Sequence, residues 1–143
     1  MNVSLKKLDE RAVIPTRGSA EAAGSDLYAL DAVSVPAGET VLVHTGIAVA
    51  IPTGYAGLIY ARSGLATKRS LAPANKVGVI DADYRGEIMV ALHNHGNKTE
   101  EIAAGERVAQ LVVTPFLSVT FDECDSLDET ERGTGGFGST GNL

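Results

Sequence analysis

The chain has 143 residues, 44% of them apolar, and a formal net charge of −6; this is enough for one domain with a single substantial core and excludes general disorder. It contains no run of about 18 apolar residues, which excludes a membrane-spanning helix. The acidic balance argues against a partner that is a nucleic-acid polymer, whose binders carry a basic excess, but leaves a small phosphate ligand open.

The opening stretch, MNVSLKKLDE, has no apolar signal region, so neither secretion nor organelle import is expected. The single cysteine, Cys124, suits a reducing compartment. The expectation is an intracellular protein, cytoplasmic or nuclear. Further along, Ala23-Gly24-Ser25-Asp26-Leu27 offers Asp26 either as a capping acid or as an outer partner of a metal.

Strand signals follow. In residues 47–51 the large side chains alternate with alanine, and Gly57-Leu58-Ile59-Tyr60 is strand-like. Pro36-Ala37-Gly38 and Pro52-Thr53-Gly54 mark turns. Next, Ser63 is expected to cap one short helix over residues 64–69, with Lys68 and Arg69 at its C-terminal end. Free N–H groups there, beside the Arg62 guanidinium, suit either an anion or a plain capped turn with a surface arginine.

Residues 75–87 read as a hairpin entering a strand in which Ile88, Val90 and Leu92 share one face. This delivers Asp81 into a turn that also holds Asp83, Tyr84 and Arg85. A carboxylate in a partly dry turn can activate water, and an aromatic ring can wall a pocket. The same residues also fit an Asp-rich turn with Arg85 paired to an acid. His93 and His95 fall on one strand face, without a third ligand of fitting spacing.

Residues 107–113 predict a mostly buried strand. Gln110 is expected on the face of Val108 and Val112, either satisfied by backbone neighbours or aimed at a ligand. The strand pattern stops near Phe121. Residues 122–131 hold six acids and no base, a solvated tether that spans roughly 30 Å when extended. Cys124 lies in it with no histidine near, a poor setting for a thiol nucleophile. The glycine-rich RGTGGFGSTG (132–141) follows. Many short strands, Gly/Pro turns and no long amphipathic helix indicate an antiparallel sandwich, jelly roll or barrel.

Five ordered stretches, AGSDLYA (23–29), ARSGLA (61–66), NKVGVIDADYRGEI (75–88), GERVAQLV (105–112) and RGTGGFGSTG (132–141), closely resemble the motifs of the homotrimeric dUTPases, the dUTP diphosphatases. Two departures are small: Ser25 stands where the family often has a larger residue, and Ala61 replaces a frequent proline.

The resemblance implies an all-β jelly roll or distorted barrel of short antiparallel strands with one short helix. It divides the chain into a catalytic domain (1–121), a flexible tether (122–131) and an arm (132–143) that is exchanged between subunits. It implies a homotrimer that hydrolyses dUTP to dUMP and pyrophosphate, keeping uracil out of DNA and supplying dUMP for thymidylate synthesis. Mg²⁺ would bridge the phosphates, with Asp26 reaching it through water.

By the same resemblance Asp81 activates the attacking water. Arg62, Ser63, Gly64 and Gln110 hold phosphate oxygens or that water. Asn75, Gly78, Val79 and Ile80 read uracil, while Tyr84 and Met89 flank sugar and base. From the arm, Phe137 stacks on uracil, and Arg132, Gly138, Ser139 and Thr140 hold the terminal phosphates. Two rivals remain: a dCTP deaminase relative on the same fold, and a nucleotide-sensing module without catalysis.

Overall fold

The structure is a computed structural model that describes residues 1–137. Among them are eleven strands and one helix: β1 (Ser4–Lys7), β2 (Ser25–Tyr28), β3 (Val33–Val35), β4 (Thr40–His44), β5 (Ile47–Ala50), β6 (Tyr55–Tyr60), α1 (Ser63–Arg69), β7 (Leu71–Pro73), β8 (Gly78–Ile80), β9 (Met89–Asn94), β10 (Glu100–Ile102) and β11 (Arg107–Pro115). Every strand pairing is antiparallel.

A four-stranded sheet runs in the order β2-β11-β6-β8 and a three-stranded sheet in the order β4-β9-β7; β1-β5 and β10-β3 form two-stranded ribbons. Among the described residues the sheets do not close into a barrel, and the arrangement is of the jelly-roll type. Both larger sheets feed one core. Leu27, Ile59, Ile80 and Leu111 come from the first, and Val43, Leu71, Val90 and Leu92 from the second. Ile88, Val90 and Leu92 are buried while Met89, Ala91 and His93 are only half-buried, the alternation their spacing predicts. Each fully buried aliphatic side chain contributes about 1.5–3 kcal/mol.

One polar side chain is fully buried at the meeting of these strands. The Asn94 amide donates to the carbonyls of Val35 and Lys98, at 2.8 and 2.7 Å, and its oxygen accepts the Gly96 N–H at 2.9 Å. With every group satisfied, it ties β9 to β3 without an unpaired polar atom.

Four local expectations change. Ser63 is not the helix cap. Arg62 occupies that position with an extended backbone and no side-chain cap bond, since a guanidinium has no acceptor to offer the free N–H groups; it pairs with Asp26. Residues 75–87 are not a hairpin: β8 pairs with β6, whereas β9 belongs to the other sheet, so residues 81–88 cross between sheets.

Gln110 does not share a face with Val108. A β-bulge interrupts the register between Arg107 and Ala109 and turns both Val108 and Ala109 into the core. Finally, strand pairing ends at Pro115. Residues 116–121 keep their alternating apolar pattern but find no partner strand within the described residues, and Leu117, Val119 and Phe121 are exposed.

Candidate active site

The turn between β7 and β8 builds one side of a cavity. Lys76 adopts a left-handed backbone (φ 65°), and Val77 N–H reaches the Asn75 carbonyl at 2.7 Å. This tight reversal lays the Asn75 amide against Gly78, where a Cβ would lie 3.1 Å from Asn75 Nδ2 and 3.2 Å from Ile59 Cβ. Glycine is needed there for close approach. β8 then runs along the edge of its sheet, bonded only to β6, so one row of its backbone N–H and C=O groups has no ladder partner.

Past Ile80 the chain turns. Tyr84 N–H donates to the Asp81 carbonyl at 3.1 Å. Arg85 donates to the carbonyls of Ala82 and Tyr84, at 2.7 and 2.9 Å; it braces the turn through backbone oxygens. The resulting cavity of about 300 Å³ is lined by Asn75, Gly78, Val79, Ile80, Asp81, Tyr84 and Met89, all predicted site residues. Five further residues complete the lining: Leu42, Ile59, Glu87, Ile88 and Ala91. Asp81 also borders a second hollow with Thr53, Asp83, Arg85 and Phe116, so the residue is shared by two openings. A larger hollow near Val3, Leu5, Ile14 and Val113 contains none of the predicted residues.

Glu87 was not singled out from the sequence, although it lies inside a quoted motif. Its carboxylate accepts the Gly46 N–H at 2.8 Å and faces His44 Nδ1 at 2.9 Å. Partial burial pushes this carboxyl up, but the His44 bond and the Gly46 N–H outweigh that, and it lies below its ordinary value.

A second group of predicted residues gathers elsewhere. Asp26, Gln110 and Tyr60 lie side by side across β2, β11 and β6. Arg62 Nε donates to Asp26 Oδ1 at 2.8 Å, and Arg107 donates to Oδ2 at 3.3 Å. Gln110 donates to the Ala61 carbonyl at 2.9 Å. Gly24 packs against that amide, with a Cβ there 3.1 Å from Gln110 Cδ. Ser63 and Gly64 sit exposed on the first turn of α1.

None of Asp26, Arg62, Ser63, Gly64 or Gln110 lines the cavity of Asp81. Tyr60 stands three residues along β6 from Gly57, the partner of Ile80, which is roughly 10 Å. Arg107 is the addition here. Its charge was visible in the sequence, but its approach to Asp26 depends on the bulge beside it.

His93 and His95 rings lie 4.4 Å apart, edge to face, and His93 Nδ1 is engaged by Thr40. In the arm, Arg132 bonds to the Gly135 carbonyl at 2.8 Å, and Phe137 is fully exposed. Gly138, Ser139 and Thr140 lie outside the described residues.

Comparison with known proteins adds to this geometry. The dUTPase family model matches residues 10–141. The deoxyuridine 5'-triphosphate nucleotidohydrolase of Nautilia profundicola is 47% identical over 141 residues, covering 99% of both chains. Among solved structures, the Staphylococcus bacteriophage 80alpha dUTPase with dUPNHPP is similar at a TM-score of 0.92, with 28% identity and 98% of each chain covered. A mutant dUTPase from phage phi11 of S. aureus, whose structure reveals coordination of a structural Mg(II) ion, matches at a TM-score of 0.82. It is 26% identical and covers 88% of this chain and 98% of its own.

Proposed function

The chain belongs to the dUTPase family and hydrolyses dUTP to dUMP; we propose that Asp81 orients and deprotonates the attacking water, at a site completed by further copies of the chain. One observation carries this reading. Seven residues assigned to base, sugar and catalysis line a single cavity around an edge strand.

Uracil presents O4 and N3–H where cytosine presents N4–H₂ and an unprotonated N3. Free backbone groups of Gly78, Val79 and Ile80, with the Asn75 amide, match the first pattern and leave polar groups unpaired against the second. Sites of that kind reject a mismatch by roughly 10⁴-fold or more. The close walls exclude the 5-methyl of thymine. The Tyr84 ring lies under the sugar, where it crowds a 2′-hydroxyl, and Met89 adds apolar contact.

Water held by Asp81 attacks the α-phosphorus in line, its proton passes to the carboxylate, and pyrophosphate leaves. Arg62, Ser63 and Gly64 hold phosphate oxygens, and Gln110 holds a phosphate or the water. Among the described residues no three His, Cys, Asp or Glu side chains cluster as a metal cage, and both Asp26 oxygens face guanidinium groups. That donor set fits Mg²⁺ held mainly by substrate phosphates, with Asp26 reaching it through water. Mg²⁺ when bound neutralises charge on the phosphates.

The separation of the Asp81 cavity from Arg62 and Gln110 supports a site shared between subunits. So does an arm whose Arg132 bonds within itself and whose Phe137 is fully exposed. On this reading the protein is a homotrimer. Residues 1–121 form the catalytic domain and 122–131 the tether. Residues 132–143, including Gly138, Ser139 and Thr140, close a neighbour's site over uracil and the terminal phosphates.

Among the described residues no helix is long and apolar enough to cross a membrane. The free, exposed Cys124 supports an intracellular setting, cytoplasmic or nuclear. Pyrophosphate release from dUTP, dCTP, dTTP and UTP, with and without Mg²⁺, tests the reading. Release from dUTP alone is expected, and ammonia from dCTP would overturn it.

A further inference from the structure

We propose that Glu87 is a positioning residue that sets the sugar-side wall of the cavity by locking Tyr84 to the β4–β5 turn. The assignment rests on reading this cavity as the deoxyuridine pocket.

The relay begins at an anchored end. Gly46, between β4 and β5, has a left-handed backbone (φ 69°), and a Cβ there would lie 3.0 Å from Ala12 Cβ and 3.1 Å from Leu30 Cδ1. Its carbonyl accepts the Leu8 N–H, and the His44 carbonyl accepts the Leu30 N–H, both at 2.8 Å. The turn is therefore held by chain segments on two sides. Its own groups reach back to residues 87–88 through four bonds. Gly46 N–H and His44 meet the Glu87 carboxylate. The buried Thr45 hydroxyl donates to the Ile88 carbonyl at 2.5 Å, and Ile88 N–H to the Ile47 carbonyl at 2.8 Å.

The other end of the relay is Tyr84. Its hydroxyl donates to the backbone carbonyl of Glu87 at 2.9 Å. Gly86 makes this possible: a Cβ there would lie 2.6 Å from Tyr84 Cζ, so any side chain would push the ring away. The ring therefore rests on a peptide that is held twice, by its own Ile88 N–H on the Ile47 carbonyl and by the carboxylate of Glu87 on Gly46 and His44. Tyr84 is 43% exposed and has little core packing to hold it otherwise. A wall that must exclude one hydroxyl has to be placed within a fraction of an ångström. The two Glu87 groups, one side chain and one backbone, supply that placement from the rigid body.

The test is discrimination between dUTP and UTP. Replacing Glu87 by alanine removes the side-chain half of this anchorage and leaves the two bonds of Ile88, so the 86–87 segment under the ring loosens without coming away. The ratio of kcat/KM for dUTP over UTP should fall roughly tenfold, about the effect of one net hydrogen bond, chiefly through KM. Glu87→Gln keeps an oxygen for Gly46 N–H and a polar amide facing His44 Nδ1, so it should restore most of the ratio. Tyr84→Phe removes the far end of the relay and should lower the ratio similarly, without adding to the loss in Glu87→Ala.

Equal losses for both substrates, with the ratio intact, would make Glu87 merely structural and overturn the assignment. If Glu87→Ala does not fold, Tyr84→Phe decides the matter: an unchanged ratio overturns the proposal. Wild-type protein that cleaves UTP as readily as dUTP would instead overturn the reading of the cavity, and the assignment with it.

Discussion

Asp26 holds the Arg62 guanidinium at 2.8 Å, and the two side chains come from strands that are not neighbours in their sheet: β2 carries the acid, while the arginine follows β6, with β11 between them. Arg62 therefore arrives at the start of α1 already oriented. The bond uses Nε, and the Nη groups carry the phosphate contact proposed for this arginine. Arg107 offsets the remaining Asp26 oxygen, so the cluster carries a net positive charge of one.

Asp26→Asn should loosen this orientation. Loss of a charge-assisted bond corresponds to roughly 1.5–3 kcal/mol, so kcat/KM for dUTP should fall about 10- to 100-fold. Arg62→Lys, which loses the planar fork, should lower it by a comparable factor, and the double variant should show less than the product of the two. Steady-state kinetics on the four proteins checks this. Independent, multiplicative losses would mean that the pair does not act as a unit.

Asp81→Asn should fold normally and bind a non-hydrolysable dUTP analogue, because its backbone carbonyl still accepts the Tyr84 N–H that forms the turn. Loss of the base should lower kcat roughly 10²- to 10⁴-fold. Turnover close to wild type would refute the role given to the carboxylate.

Deleting residues 132–143 removes an arm whose bonds, among the described residues, run only within residues 130–135 and not to the body. Melting temperature and oligomeric state should stay as they were. Turnover of dUTP should fall roughly 10²-fold or more, the effect of losing preorganised donors to phosphate. Full activity in the truncated protein would show that the arm takes no part.

The Glu87 carboxyl is pushed up by partial burial but held below its ordinary value by the His44 and Gly46 bonds. A lowered carboxyl adds stability that is present above the unfolded value and is lost as pH falls through the folded one. The carboxylate's share of the difference in unfolding free energy between wild type and Glu87→Gln should therefore shrink as pH drops below about 4.5. Urea melts over that range measure it. A gap that widened towards acid would reverse the sign and count against the His44 and Gly46 bonds.

Much of this could be read from residue order. The alternation of Ile88, Val90 and Leu92 predicts their burial, because a strand with one core face enforces a period of two. The cluster 75–89 was visible as chemistry for the same reason that it forms a cavity: glycine, acid and aromatic residues crowd one short crossing. What stayed hidden was partnership at long range. Nothing local says that β8 joins β6 rather than β9, so a crossing between sheets looks like a hairpin. Nor does local sequence announce a bulge, so Gln110 was placed with Val108. The tie from Glu87 to Gly46 spans 41 residues, and an ordinary glutamate beside a strand carries no mark of it. The helix begins one residue earlier than a serine cap predicts, with Ser63 already in its first turn and Arg62 at the cap position.

In the proposed reading β8 meets the base with its main chain, at an open sheet edge, while the Val79 side chain is 64% exposed. A base read in this manner is indifferent to which side chain stands at position 79. Exchange of Val79 for threonine or isoleucine leaves the order of donors and acceptors as it was, so neither drift nor ordinary point substitution there offers a route to a new base preference. Proline is the exception, because it alone erases a backbone N–H. Changing the choice of nucleobase would take a shift of the strand itself.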